Sequence, residues 1–295
     1  MSAALASALR HWLGDGEPVA RVLITRARGS TPREAGAAML VTTRDTRGTI
    51  GGGTLEWDAA ARARALLAGD GDSLDLEMPL GPALGQCCGG HVSLRIERAD
   101  GRVLREMETA EQAERVALPL VLMFGAGHVG HALARALAPL PLRLRWIDGR
   151  AEEFGAAIPD GVEAVVTDSW EGEIARAPAG AACLVLTHSH ALDARITAAA
   201  LERHDFAYVG LIGSRSKRRR FERGFRDIGI PEDRIAALVC PIGDRGIRDK
   251  RPAVIAALAA AELIEAFAKH AVQPRRAQDA KSQRMHEDAT EGRAA

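Results

Sequence analysis

Phe124-Gly125-Ala126-Gly127-His128-Val129-Gly130 is the stretch that decides the fold of the C-terminal half of this chain. It follows the apolar run 119–124 (PLVLMF) and opens a helical pattern, so it stands at a strand-to-helix turn. Each glycine has its own reason for being there. Gly125 permits the tight bend, Gly127 lets backbone approach a phosphate, and Gly130 lets the helix pack on the strand. The helix N-terminus then favours an anion. Asp148 ends the next apolar run, about 20 residues on, where a carboxylate accepts from a ribose hydroxyl. Together these features predict a phosphate-bearing ligand of unspecified kind; the bland alternative is a tight turn that holds no nucleotide.

Outward from this turn, apolar runs alternate with helical segments. Strands are expected at 119–124, 142–147, 162–166, 182–187, 207–212 and 236–240. Runs this apolar, separated by helices, imply a parallel sheet covered on both faces. Ligands of such sheets lie at the C-terminal ends of the strands, and four of those ends are polar. They are Asp148-Gly149-Arg150, Thr187-His188-Ser189-His190 with Asp193, Gly213-Ser214-Arg215, and Pro241-Ile242-Gly243-Asp244. Arg150, His188 and Arg215 are read as ligand contacts. Ser189, Asp193 and Ser214 have capping of the next helix as their alternative. His188 and His190 lack a third partner at zinc-binding spacing. The run Lys217 to Arg220 reads as the solvated face of a helix. Cys183 falls mid-strand and reads as core, whereas Cys240 is left open.

The N-terminal part is patterned differently. Val19 to Ala27 and Ala37 to Thr42 are β-rich, and Gly51 to Gly53 lead into a helix with Thr54 as its cap and Leu55, Ala59, Ala63, Leu66 and Leu67 on one face. His91 to Glu97 alternates as a closing strand. Residues 99–117 are charged and read as a linker, and residues 271–295 are too poor in large apolar groups to order. The expected organisation is a small α+β domain over 1–98, the linker, a Rossmann-like doubly wound domain over 118–270, and a disordered tail.

One more string carries chemistry: Gly85-Gln86-Cys87-Cys88-Gly89-Gly90-His91. Adjacent Cα atoms lie about 3.8 Å apart, below the usual disulfide range of about 4.4–6.8 Å, so a bond between Cys87 and Cys88 would be strained. Glycines on both sides leave the backbone bare for a bulky ligand, and thiolates suit a heavy metal or a sulfur species. The alternative is that one thiol packs as a small hydrophobe.

Composition narrows the classes. The 295 residues carry 39 basic and 39 acidic side chains, with 47% apolar and 26% charged residues. No net field recruits nucleic acid or an anionic membrane. Only four lysines occur, and none sits in a P-loop string. No run approaches the roughly 18 apolar residues of a membrane helix. The start, MSAALASALRHWLGDG, lacks a basic lead and reads as a short helix rather than a signal peptide. Four cysteines in a chain this long suggest a reducing compartment. The cytoplasm is the expected location.

Taken together, the strings resemble the xanthine dehydrogenase accessory factors, the XdhC/CoxI family, over nearly the whole chain. The matching residues are Arg28 to Arg33 (RGSTPR), Gly48 to Glu56 (GTIGGGTLE) and GQCCGG in the first part. In the second they are FGAGHVG, Asp148-Gly149-Arg150, THSHALD, Tyr208 to Arg215 (YVGLIGSR) and Pro241-Ile242-Gly243. The resemblance implies a homodimeric chaperone rather than a turnover enzyme. Such a protein binds molybdenum cofactor (molybdopterin), shields it while a cysteine desulfurase assists sulfuration, and inserts it into xanthine dehydrogenase apoenzyme. Cys87 and Cys88 become candidates for contacting molybdenum or its exchanged sulfur. Gly125, Gly127, His128, Gly130, Asp148, Arg150, His188, Ser214 and Arg215 become candidates for holding the rest of the cofactor. One departure stands out: many relatives continue the final PIG with Leu-Asp-Ile-Gly, where this chain has Asp244-Arg245-Gly246-Ile247, so no roles are carried over to 244–251. Two other functions compete, an NAD-dependent oxidoreductase and a molybdopterin nucleotidyltransferase. Neither accounts for the paired cysteines, and no paired acidic motif suggests the magnesium site that the second needs.

Overall fold

The computed structural model describes residues 3–80 and 89–291, with side chains over 5–80 and 89–271. It divides into two units, Met1–Val116 and Ala117–Ala295. Among the described residues no helix is long and apolar enough to cross a membrane.

The first unit runs α1 (Ala3–Gly14), β1 (Ala20–Arg28), β2 (Ala38–Val41), β3 (Thr46–Gly48), α2 (Gly53–Ala68), β4 (Ser73–Pro79), β5 (His91–Arg98) and α3 (Gly101–Ala117). Its five strands form an antiparallel sheet in the order β3-β2-β1-β5-β4. Strand alternation sends Val22 and Ile24 to one face, where Leu55, Ala59 and Ala63 of α2 pack on them. A second cluster joins Leu9 of α1, Leu40 of β2, and Val103 and Met107 of α3.

Residues 99–117, expected as a linker, therefore belong to this unit as a helix. Two apolar residues one turn apart suffice to seat it. A buried ion pair between Arg21 of β1 and Glu97 of β5 extends to Glu106 of α3, with Arg21 Nη2 2.5 Å from Glu97 and 3.0 Å from Glu106. Thr54 is not the cap of α2; Gly52 holds that position, without a side-chain cap. Strands β3 and β4 were not anticipated. β3 is exposed throughout, and β4 alternates Leu74, Leu76 and Met78 with acidic residues at an edge of the sheet.

The second unit contains β6 (Leu120–Phe124), α4 (His128–Leu137), β7 (Arg143–Asp148), a 3-10 turn at Ala151–Phe154, β8 (Val162–Val166), α5 (Trp170–Arg176), β9 (Ala182–Val185), α6 (His190–Glu202), β10 (Tyr208–Leu211), α7 (Arg215–Asp227), α8 (Glu232–Ala237), β11 (Leu238–Val239) and α9 (Pro252–Glu291). All six strands pair in parallel in the order β11-β10-β9-β6-β7-β8. This is the doubly wound arrangement, with its switch point between β6 and β9. Successive residues of β6 feed opposite layers. Val121 and Met123 pack with Leu133, Trp146 and Leu263, while Leu122 and Phe124 pack with Ile196 and Phe221. A strand buried on both faces needs this unbroken apolar run.

Helix α9 takes in residues 271–291, which were expected to be disordered. That stretch is rich in Ala, Arg, Gln, Lys and Glu, good helix formers with little to bury.

Candidate functional site

At the switch point the backbone is fixed by contacts that tolerate only hydrogen. Gly125 has φ +119, and a Cβ there would lie 2.3 Å from Leu186 O. A Cβ on Gly130 would lie 2.3 Å from Gly125 O. Gly127 is different: it is the N-cap of α4, no side chain caps that helix, and a Cβ would meet no heavy atom within 4 Å. The first amides of α4 thus have no side-chain cap, the arrangement in which a helix start accepts an anion.

Beside this turn lies a cavity of about 260 Å³ over the ends of β6, β7, β8 and β9. Of the expected site residues, Gly125, Asp148, Arg150 and His188 line it. His128 is the exposed first residue of α4, and Gly130 is packing. Ser214 caps α7, accepting from Lys217 N at 3.2 Å, and Arg215 pairs with Asp244 at 3.3 Å. Neither of these two lines the cavity. Ser189 likewise caps α6.

Asp148 is the most constrained group. Its Oδ2 accepts from Ala126 N at 2.8 Å and Arg150 Nη2 at 3.0 Å, and its Oδ1 accepts from Arg150 N and Nε, both at 3.0 Å. Burial raises its pKa, but the Arg150 and Ala126 hydrogen bonds outweigh burial and hold the carboxyl below its ordinary value. The carboxylate placed to receive a ribose is thus already forked by a guanidinium, which Glu153 anchors at 2.9 Å.

Among the lining residues that were missed are Asp168, Trp170 and Arg195. The strand-end rule, carried to the end of β8, points to Asp168 and Trp170. Arg195 is reached only from the second turn of α6, which no strand-end pattern reports.

Behind His188, Asp193 shapes the turn. Its Oδ1 accepts from Thr187 N at 3.0 Å and Thr187 Oγ1 at 2.7 Å. Its Oδ2 lies 2.6 Å from Lys217 Nζ, which also donates to Ile212 O at 2.9 Å. Lys217, expected on a solvated face, is therefore turned inward, while Arg219 and Arg220 remain exposed. Burial pushes the nearby Cys240 thiol up to about 11, so it packs as a neutral group.

Cys87 and Cys88 lie outside the described residues. The frame around them does not. A Cβ on Gly90 would lie 2.3 Å from Ser30 O, and one on Gly29 would lie 3.3 Å from Gly90 Cα. A Cβ on Gly51, which has φ +130, would lie 2.4 Å from Pro32 Cγ. The glycines after the cysteines thus approach the 28–33 string backbone to backbone, and the Pro32 ring of that string packs against Gly51 of the 48–56 string. Glu56 secures the second string, its Oε1 accepting from Ile50 N (2.9 Å), Gly51 N (3.2 Å), Gly52 N (2.9 Å) and Thr49 Oγ1. A cavity of about 1180 Å³ in the same unit is lined partly by Pro32, Arg33, Gly48 and Thr49.

Comparison with known proteins gives a family match in each unit. The model of the XdhC Rossmann domain matches residues 121–263, and that of the XdhC and CoxI family matches residues 12–76. The chain belongs to the XdhC and CoxI family. This XdhC-type chain is 27% identical over 274 residues to the uncharacterized protein YqeB of Escherichia coli (strain K12). The match takes in 84% of the chain but 43% of YqeB, so the chain spans less than half of that relative. In fold it is similar to a crystal structure of a xanthine dehydrogenase from Bacillus halodurans, with TM-score 0.69 and 18% identity over 90% of this chain and 96% of that one.

Proposed function

We propose that this XdhC-type chain is an accessory protein for xanthine dehydrogenase: a carrier that holds molybdenum cofactor for sulfuration and passes it to the apoenzyme. The observation that carries the reading is the closed state of Asp148. A nicotinamide dinucleotide enzyme keeps that carboxylate for ribose, whereas here Arg150 and Ala126 occupy both its oxygens. The uncapped start of α4 still suits a phosphate. The crevice therefore favours an anionic ligand other than a dinucleotide. Fold alone does not imply hydride chemistry.

In this reading the amides after Gly127 are suited to the cofactor's phosphate, and the thiols of the cysteine string are suited to molybdenum or its exchanged sulfur. The cofactor supplies the metal and its exchangeable sulfur ligand. The chain contributes binding and shielding, and acts as a homodimer in the cytoplasm with the apoenzyme and a cysteine desulfurase as partners. That Gly89-Gly90, directly after Cys87 and Cys88 in sequence, closely approach the 28–33 string supports a binding role for the cysteines.

The test is cofactor binding by the purified protein beside Cys87→Ala and Cys88→Ala. Binding that weakens at least about tenfold in either variant, a loss of roughly 1.4 kcal/mol, is the expected result. Binding unchanged in both would remove the cysteines from the site. Bound NAD with no cofactor would return the chain to the oxidoreductases.

A further inference from the structure

The cavity holds one acceptor that the rest of the protein leaves unused. Asp168 follows β8, lines the cavity, and makes no hydrogen bond or ion pair among the described residues. Its position is nonetheless defined: a Cβ on Gly149 would lie 2.1 Å from Asp168 Oδ1, so this carboxylate rests against the bare backbone of the β7 turn. Two residues on, Trp170 is half-buried at the start of α5, and the guanidinium of Arg195 stacks on its ring at 5.1 Å. Arg195 is steadied by Glu171 at 3.2 Å. Carboxylate, indole and guanidinium thus border one hollow, next to a turn suited to phosphate.

The chemistry of these groups is selective. A tryptophan wall with a flat cation beside it takes a planar ring. An ionised carboxylate only accepts, and it is best matched by two adjacent N–H donors. Adenine offers one exocyclic amino group beside a ring acceptor. A 2-amino-4-oxopyrimidine edge, shared by guanine and pterin, offers a ring N–H and an amino group side by side. Building on the carrier reading above, we infer that Asp168 is the specificity residue of the crevice, reading a 2-amino-4-oxopyrimidine edge of a ring seated against Trp170 and Arg195. The cavity of about 260 Å³ has room for such a bicyclic ring. Asp148, forked by Arg150, takes no part in that reading.

Calorimetric titration of the full chain with GDP, ADP, XDP and a pterin monophosphate tests this. Wild type should bind GDP or the pterin at least about tenfold more tightly than ADP, and whichever of the two binds better names the source of the edge. Asp168→Asn presents one donor and one acceptor instead of two acceptors. It should weaken GDP and pterin roughly 10- to 100-fold, the loss expected for hydrogen bonds to a charged group, and shift preference towards XDP, whose 2-oxo group accepts. The substituted residue has no internal partner, so the thermal midpoint should not move. Equal binding of ADP and GDP, or an Asp168→Asn variant that leaves GDP and pterin unchanged, would overturn the inference. So would absence of binding by both probes at about 1 mM. Molybdenum cofactor binding measured alongside separates the two ideas. If it persists while the probes fail, only the role of Asp168 falls; if it is absent, the carrier reading falls.

Discussion

Gly127 and Gly130 stand three residues apart in one turn and answer to different demands. At Gly130 a methyl group would strike Gly125 O at 2.3 Å, so Gly130→Ala should lower stability by about 1–3 kcal/mol, as overpacking does, visible as a thermal midpoint several degrees down. At Gly127 the space is open and the backbone, at φ −76 and ψ −172, accepts alanine. Gly127→Ala should therefore keep its midpoint and instead weaken binding of the anion proposed for this turn. Equal loss of stability in both variants would contradict the division. Asp148 gives a pH signature at the same scale. Its pKa is depressed in the folded state, so its contribution is complete above the ordinary value of about 3.9 and is lost as pH falls through the native one. Asp148→Asn should be less stable than wild type at pH 7, by roughly 1–3 kcal/mol, and the two should converge in urea unfolding as pH falls through the depressed native value. A gap that persists in acid would mean the carboxylate's charge is not what stabilises the turn.

Among the elements, legibility followed burial. The central strands of the second unit could be read because β6, β9 and β10 are apolar on both faces, and a run such as Leu120–Phe124 has no other stable use. Helix α3 was hidden because its seam is narrow. Val103 and Met107 are its only fully buried residues, set among charges that make i,i+4 pairs such as Arg102 with Glu106. Strand β4 was hidden for the converse reason: an edge strand alternating with acidic residues looks like loop. Site residues divided in the same way. The glycines and Asp148 lie in a contiguous string, but that Arg150 would close Asp148 depends on side-chain geometry no string records. Asp168 precedes α5 and Arg195 lies on α6, and the packing of these two helices brings them together.

At the scale of the molecule, each unit has cores of its own, and the division falls after α3 rather than before it. A fragment ending at residue 117 should fold. One ending at residue 98 leaves Leu9 and Leu40 without Val103 and Met107, and should lose at least about 3 kcal/mol. Circular dichroism melts of the two fragments would show this, and equal midpoints would restore residues 99–117 to the status of a tether.

The segment that carries Cys87 and Cys88 joins β4 to β5, whose pairing ends at Pro79 opposite His91. Leu80 N donates to Gly90 O at 2.8 Å, so the two stems meet before the segment begins. A connection closed at its base is a replaceable part. Doubling the length of a connection closed at its base costs only about 0.6 kcal/mol of closure entropy. The stretch between the two stems can therefore change in length and sequence while the β4–β5 pairing that closes its base is kept.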